Sequence, residues 1–255
     1  MWYLITVRGG LLAMLLAVSS CLPEGDAETG DAPTSDAEVV TNGPLTQVRY
    51  IYAWNLEGVT ARPDGSLEVT NDLGWLVTLD EAWLVNFAIS LVPCSTDTVS
   101  VRGHGGFTDP SAVAVGRVES LTTPEPTFVA DVAFASTSYC EVHWLMARAT
   151  EDAVGLPDSP ELVGQTLWLT GTATSPDGVE VSLSERNNWA DGSAMLFTYP
   201  EGSPEEATVT VTRELGTIFD GIDFGSLTSE ALGQAVLANL TKHASVEVTP
   251  GIVDE

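Results

Sequence analysis

Apolar and polar side chains alternate with a period of two along much of this chain, and no other feature restricts its fold as strongly. Val48, Tyr50, Tyr52 and Trp54 fall on one face of an extended segment with Arg49 on the other, because successive side chains of a strand point to opposite sides. Phe128, Ala130, Val132 and Phe134 share a face with Asp131 opposite. Cys140, Val142, Trp144 and Met146 share another, with Tyr139, Glu141 and His143 opposite. Ala207, Val209 and Val211 alternate with Thr208, Thr210 and Thr212, β-branched residues that suit a pleated surface on both sides. Ala82 to Val92 is nearly continuous apolar sequence, compatible with a strand buried on both faces or a short buried helix. The spacing of Trp83, Val85, Phe87, Ile89 and Leu91 favours the strand.

Turn chemistry separates these segments. In Arg62-Pro63-Asp64-Gly65-Ser66 the proline fixes φ and the glycine supplies a positive one; Asn71-Asp72-Leu73-Gly74 and Ser175-Pro176-Asp177-Gly178 read the same way. Short strands between such turns predict a mainly β fold, an antiparallel β-sandwich, with a barrel as the alternative closure. One α-helix is expected near the C-terminus. Thr228 or Ser229 caps it, Glu230 sits in its first turn, and Leu232, Ala235, Val236, Asn239 and Leu240 trace one face.

The N-terminal segment carries a different signal. Met1 to Ser20 has one charged side chain, Arg8, followed by an apolar run from Leu11 to Val18, the layout of a secretory signal peptide. The run falls short of the roughly 20 apolar residues that span a bilayer. Val18-Ser19-Ser20-Cys21 resembles the lipobox of bacterial lipoproteins. That resemblance implies cleavage before Cys21, acylation of its thiol, and a lipid anchor that makes the membrane this protein's first partner. Residues 21–44 then carry six acidic side chains from Glu24 to Glu38, no basic side chain and no aromatic one. A segment of this composition buries too little apolar surface to order itself and reads as an extended tether. Residues 45–255 remain for the folded domain. Leu22 stands where an acidic residue retains lipoproteins in the inner membrane of enteric bacteria, so the outer membrane is the expected destination.

The formal net charge is −27, and a surface this acidic repels nucleic acid phosphates and anionic headgroups. Solubility explains the charge without a cationic partner. With Cys21 assigned to lipid, Cys94 and Cys140 form an even pair in an oxidising compartment and are expected to be disulfide-bonded. The competing reading, two thiolate metal ligands, has no CxxC spacing behind it.

Catalytic motifs are absent: the chain has no G-x-S-x-G, H-E-x-x-H, phosphate-binding loop, G-x-G-x-x-G or calcium-binding helix–loop–helix. A non-catalytic binding role therefore ranks above an enzymatic one, with a structural or adhesive role toward an envelope protein or glycan as the alternative. Three histidines are present. His104 lies in the glycine-rich stretch Gly103-His104-Gly105-Gly106, with Asp109 five residues on, and Glu141 and His143 share one face of a strand. These four are the candidate metal ligands, imidazole and carboxylate being suited to copper or zinc. Each also has an ordinary reading, as a loop or as a polar strand face. Asp220-Gly221-Ile222-Asp223 and Asn187-Asn188 with Asp191 offer oxygens of the kind calcium takes. Among seven tryptophans, Trp189 alone falls in a polar stretch, Glu185 to Gly192, and is the candidate contact for a ligand such as a sugar.

The strand Trp75 to Val85, the cysteine closing the next strand at Cys94, and Gly164-Gln165-Thr166-Leu167-Trp168-Leu169-Thr170-Gly171 together resemble the MbnP-like periplasmic metal-binding proteins and related bacterial lipoproteins. The resemblance covers about half of the domain. It implies a β-rich fold and copper binding through histidines and an oxidised tryptophan. The chain departs from that pattern in lacking a four-cysteine arrangement and in its small number of histidines.

Overall fold

The computed structural model describes residues 44–94, 107–158, 160–199 and 205–252. The signal segment, Cys21, the tether before Pro44, and His104 lie outside them. Among the described residues, eleven strands and one α-helix follow in order: β1 (Pro44–Asn55), β2 (Val59–Ala61), β3 (Leu67–Thr70), β4 (Leu76–Pro93), β5 (Arg117–Ser120), β6 (Thr127–Met146), β7 (Leu167–Thr174), β8 (Glu180–Asn187), β9 (Asp191–Leu196), β10 (Glu206–Glu214), α1 (Ser229–Lys242) and β11 (Ser245–Pro250). Among the described residues no helix is long and apolar enough to cross a membrane.

The fold is mainly β with one helix, as the alternation predicts, but it is not an antiparallel sandwich. A single hydrogen-bonded path runs β11-β10-β1-β6-β4-β3-β2, with β5 and β7 also on β4, β8 on β7 and β9 on β6. The sheet is mixed, because β10 runs parallel to β1, pairing Val48 with Ala207 and Tyr50 with Val209, and it curls into a half-barrel. The reason lies in β4 and β6, which are 18 and 20 residues long and change partners along their length. The first part of β6 pairs with β1, whereas its second part lies between β4 and β9. A strand that passes continuously from one partner set to another bends the sheet instead of dividing it into two facing layers. Register shifts in β4 at Leu79/Glu81 and between β1 and β6 at Tyr50/Ile51 add the local kink and twist that such bulges impose.

Gly171 of β7 sits at the first of these shifts. A Cβ there would lie 2.0 Å from the Thr78 carbonyl oxygen, and its φ of 156° is unfavourable for other residues. Gly171→Ala is therefore expected to force β7 off β4 and cost about 1–3 kcal/mol, the usual range for overpacking. Denaturant unfolding of the variant checks this, and an unchanged midpoint would contradict it.

One large cluster of buried side chains makes the main core. Tyr50, Tyr52, Leu79, Leu84, Ile89, Trp144, Val209, Val211 and Phe219 are all buried there. A smaller cluster of Val85, Val118, Ala149, Ala153, Leu162 and Trp168 covers the other face of β4. Helix α1 starts where Thr228 accepts a hydrogen bond from the Ala231 amide, and it buries Leu232, Gly233, Val236, Leu237 and Leu240, packing mainly on β8. That contact closes over the buried face of β8, where Leu183, Glu185 and Asn187 point inward.

Candidate functional site

The second half of β6 carries the candidate ligands. Its register places His143 between Ser90 of β4 and Ala194 of β9, and Glu141 between Val92 and Leu196. Residues two apart on a strand share a face, and both side chains are half-buried. Two constraints converge beside them. Cys94, directly after β4, is bonded to Cys140, with the Cα atoms 4.9 Å apart. The ring of Phe107 stacks on the imidazole of His143, with centroids 4.9 Å apart and planes 16° from parallel. The chain on either side of residues 95–106, the segment holding His104, is thus fastened to β6 at Cys140 and at His143.

Asp109 anchors the same region. Its Oδ1 accepts hydrogen bonds from the Ser111 amide at 2.8 Å, the Ser111 hydroxyl at 2.5 Å and the Tyr139 hydroxyl at 3.1 Å. The fully buried Ser111 in turn accepts from the Leu91 amide through its hydroxyl and from the Tyr50 hydroxyl through its carbonyl. Burial first, and the Asp109 charge second, push the Tyr139 phenol up to about 12, so it stays protonated and donates. Asp109 is thereby tied to β6 through Tyr139, two residues before Glu141. Among the described residues, no three His, Cys, Asp or Glu side chains form a group able to hold a metal ion.

The calcium candidates have other occupations. The Asp72 amide donates to Asp220 Oδ1 while the Gly221 amide donates to Asp72 Oδ1, so the two carboxylates pin two turns to each other. Asp223 accepts from the Gly225 amide, Asn187 from the Trp189 amide, and Asp191 from its neighbour Gly192. Trp189 does stand out from the fold, 52% exposed, whereas Trp75, Trp144 and Trp168 are buried. The polar stretch around it is mostly strand: β8 continues to Asn187 and β9 begins at Asp191.

Sequence reasoning missed a heavily bonded buried polar cluster. Arg213 of β10, fully buried, forms an ion pair with the buried Glu119 of β5. Its Nη2 donates to Glu119 Oε1 at 3.0 Å and its Nη1 to Asn86 Oδ1 at 3.0 Å, and Asn86 Oδ1 also accepts from Trp144 Nε1 at 2.9 Å. The guanidinium lies 4.0 Å from the Trp54 ring centroid and 5.1 Å from that of Tyr52, within cation–π range. Parity was the available signal, since Arg213 shares the inward parity of Val209 and Val211. The Arg213 guanidinium has its charge matched and its donors used, which is the pattern of a structural lock, while Trp54 gives it a ring face and keeps its own Nε1 buried without a partner.

No family model matches the chain, and no curated protein matches it. Among solved structures the chain is similar to MbnP from Methylosinus trichosporium, at 11% identity, with a TM-score of 0.33, covering 80% of this chain and 98% of that one. This agrees with the weak resemblance to MbnP-like proteins drawn from the strand and cysteine pattern.

Proposed function

We propose that the protein is an envelope-anchored bacterial lipoprotein whose β domain is a non-catalytic binding module, with a metal ion as its ligand. Cys21 carries the lipid, the acidic tether holds the domain away from the membrane, and the outer membrane is the destination. The observation that carries the binding reading is the pairing of Glu141 and His143 on one half-buried face of β6, at the end of the sheet braced by the Cys94–Cys140 bond and by Phe107 on the imidazole. A carboxylate and an imidazole supply borderline donors suited to zinc or copper. His104 is the further ligand this reading assigns. A carboxylate and two imidazoles leave an ion open to exchange, as suits carriage rather than permanent structure.

The exposed Trp189 supports a second reading, adhesion to a glycan or an envelope protein, because an aromatic face on the surface is a ready contact for either. Melting temperature separates the two. A metal that binds the native state raises it in proportion to the logarithm of its concentration, whereas an adhesive domain shows no response to copper or zinc.

The anchor has its own test. Cys21→Ala is expected to leave the domain folded and to move it from the membrane fraction to the soluble one. Retention of the variant in the membrane fraction after a high-salt wash would contradict the anchor assignment.

A further inference from the structure

A cavity of about 140 Å³ opens between β8 and the start of α1, and neither Glu141 nor His143 lines it. Its floor is made by Leu183, Phe224 and Leu232, all buried, together with Glu185. Leu227 and Thr228, both exposed, stand at the rim. Glu185 is 1% exposed. Its Oε2 accepts a hydrogen bond from the Ser229 hydroxyl, and its Oε1 is buried with no hydrogen-bond partner. The helix comes close enough to enclose this carboxylate because residue 233 is glycine; a Cβ there would lie 2.6 Å from Oε1.

A buried carboxylate oxygen without a partner is costly, and a partner that fits the space would remove the cost. Desolvation, the first cause, and the nearby Glu230 charge raise the carboxyl's affinity for a proton, against the Ser229 hydrogen bond and the nearby Asn187 side chain. The N-terminus of α1 offers only about half a positive charge, less than Glu185 and Glu230 bring together, so the local balance is negative. The whole molecule adds to it at a formal charge of −27, which concentrates cations at such a site. An apolar cavity of about 150 Å³ admits a molecule the size of benzene, so roughly six heavy atoms are the limit here.

We propose that this cavity is a binding site for a small organic cation, a short alkylammonium whose charged nitrogen pairs with Glu185 and whose alkyl chain lies on Leu183, Phe224 and Leu232. It is independent of the metal reading. NMR titration of the purified protein with n-butylammonium tests it, with 1-butanol as the neutral isostere and butyrate as the anion. The ammonium should bind at least tenfold more tightly than butanol, shift the resonances of Leu183, Phe224 and Leu232, and tighten as pH rises through the titration of Glu185; butyrate should not bind. Glu185→Gln should reduce the ammonium to the affinity of butanol. Should that variant fail to fold, the pH series on the unaltered protein decides. Equal affinities for ammonium and butanol, a pH-independent ammonium affinity, or shifts confined to other regions would overturn the proposal.

Discussion

Glu119→Gln is expected to destabilise the domain by about 3–5 kcal/mol, the cost of removing one partner from a buried ion pair. Arg213 is fully buried, and once its counter-charge is gone it keeps the Asn86 and Ala53 oxygens, the amide oxygen of the new side chain, and the faces of Trp54, Tyr52 and Trp144. None of these carries a full negative charge. Arg213→Met should cost a similar amount, because Glu119 is then the stranded ion. Replacing both together, Arg213→Met with Glu119→Leu, should cost less than the sum of the single changes, since a well-packed apolar pair leaves no buried charge behind. Denaturant unfolding of the three variants measures this. Additive losses would show that the ion pair is not the coupling between β5 and β10.

Breaking the Cys94–Cys140 bond ranks next. The two residues are 46 apart in sequence, and closing a loop of that length removes unfolded-state entropy worth about 4 kcal/mol on the chain-entropy account. For a domain of this size each kcal/mol moves the melting temperature by about 2–4 °C, so reduction should lower it by roughly 8–16 °C. The loss should be local first, because the bond braces the strand end that carries Glu141 and His143. Thiol titration of the denatured, unreduced protein should find neither cysteine free. Two free thiols, or a melting temperature indifferent to reductant, would contradict the assignment.

These two interactions differ in how far the sequence announces them. The disulfide follows from an even pair of cysteines after a segment that reads as an export signal. The ion pair is hidden because Arg213 and Glu119 are 94 residues apart, and only their inward parity marks them. Turn residues are the most legible feature: Gly65 and Gly178 close their hairpins with φ of 90° and 81°, as the proline-aspartate-glycine pattern requires. Helix α1 is legible from its cap and apolar spacing, although the sequence reading left out Gly233 and Leu237 of its buried face.

Strand parity fails where a bulge intervenes. Phe128 belongs by alternation with Ala130 and Val132, yet it is 44% exposed beneath Arg49, and Val129 is buried instead. The register shift after Tyr50 pairs Ile51 with Phe128 and skips one residue of β6, exchanging the faces. Strand direction is invisible for a related reason, since side-chain alternation is identical in parallel and antiparallel pairs. Hence the parallel pairing of β1 with β10, and the half-barrel it helps form, could not be read from the pattern. At the candidate site, the shared face of Glu141 and His143 is legible from spacing alone. The stacking of Phe107 on His143 and the ties of Asp109 to Ser111 and Tyr139 depend on contacts between distant segments, which spacing does not encode.

The metal reading rests on these few side chains, so a titration tests it most directly. Copper or zinc would be added to the purified protein and, in parallel, to a variant carrying both His104→Ala and His143→Ala. Binding by the unaltered protein is expected, with affinity at least tenfold weaker in the double variant, a difference of about 1.4 kcal/mol. Equal affinity in the two proteins, or no binding by the unaltered one, would contradict the account and favour adhesion.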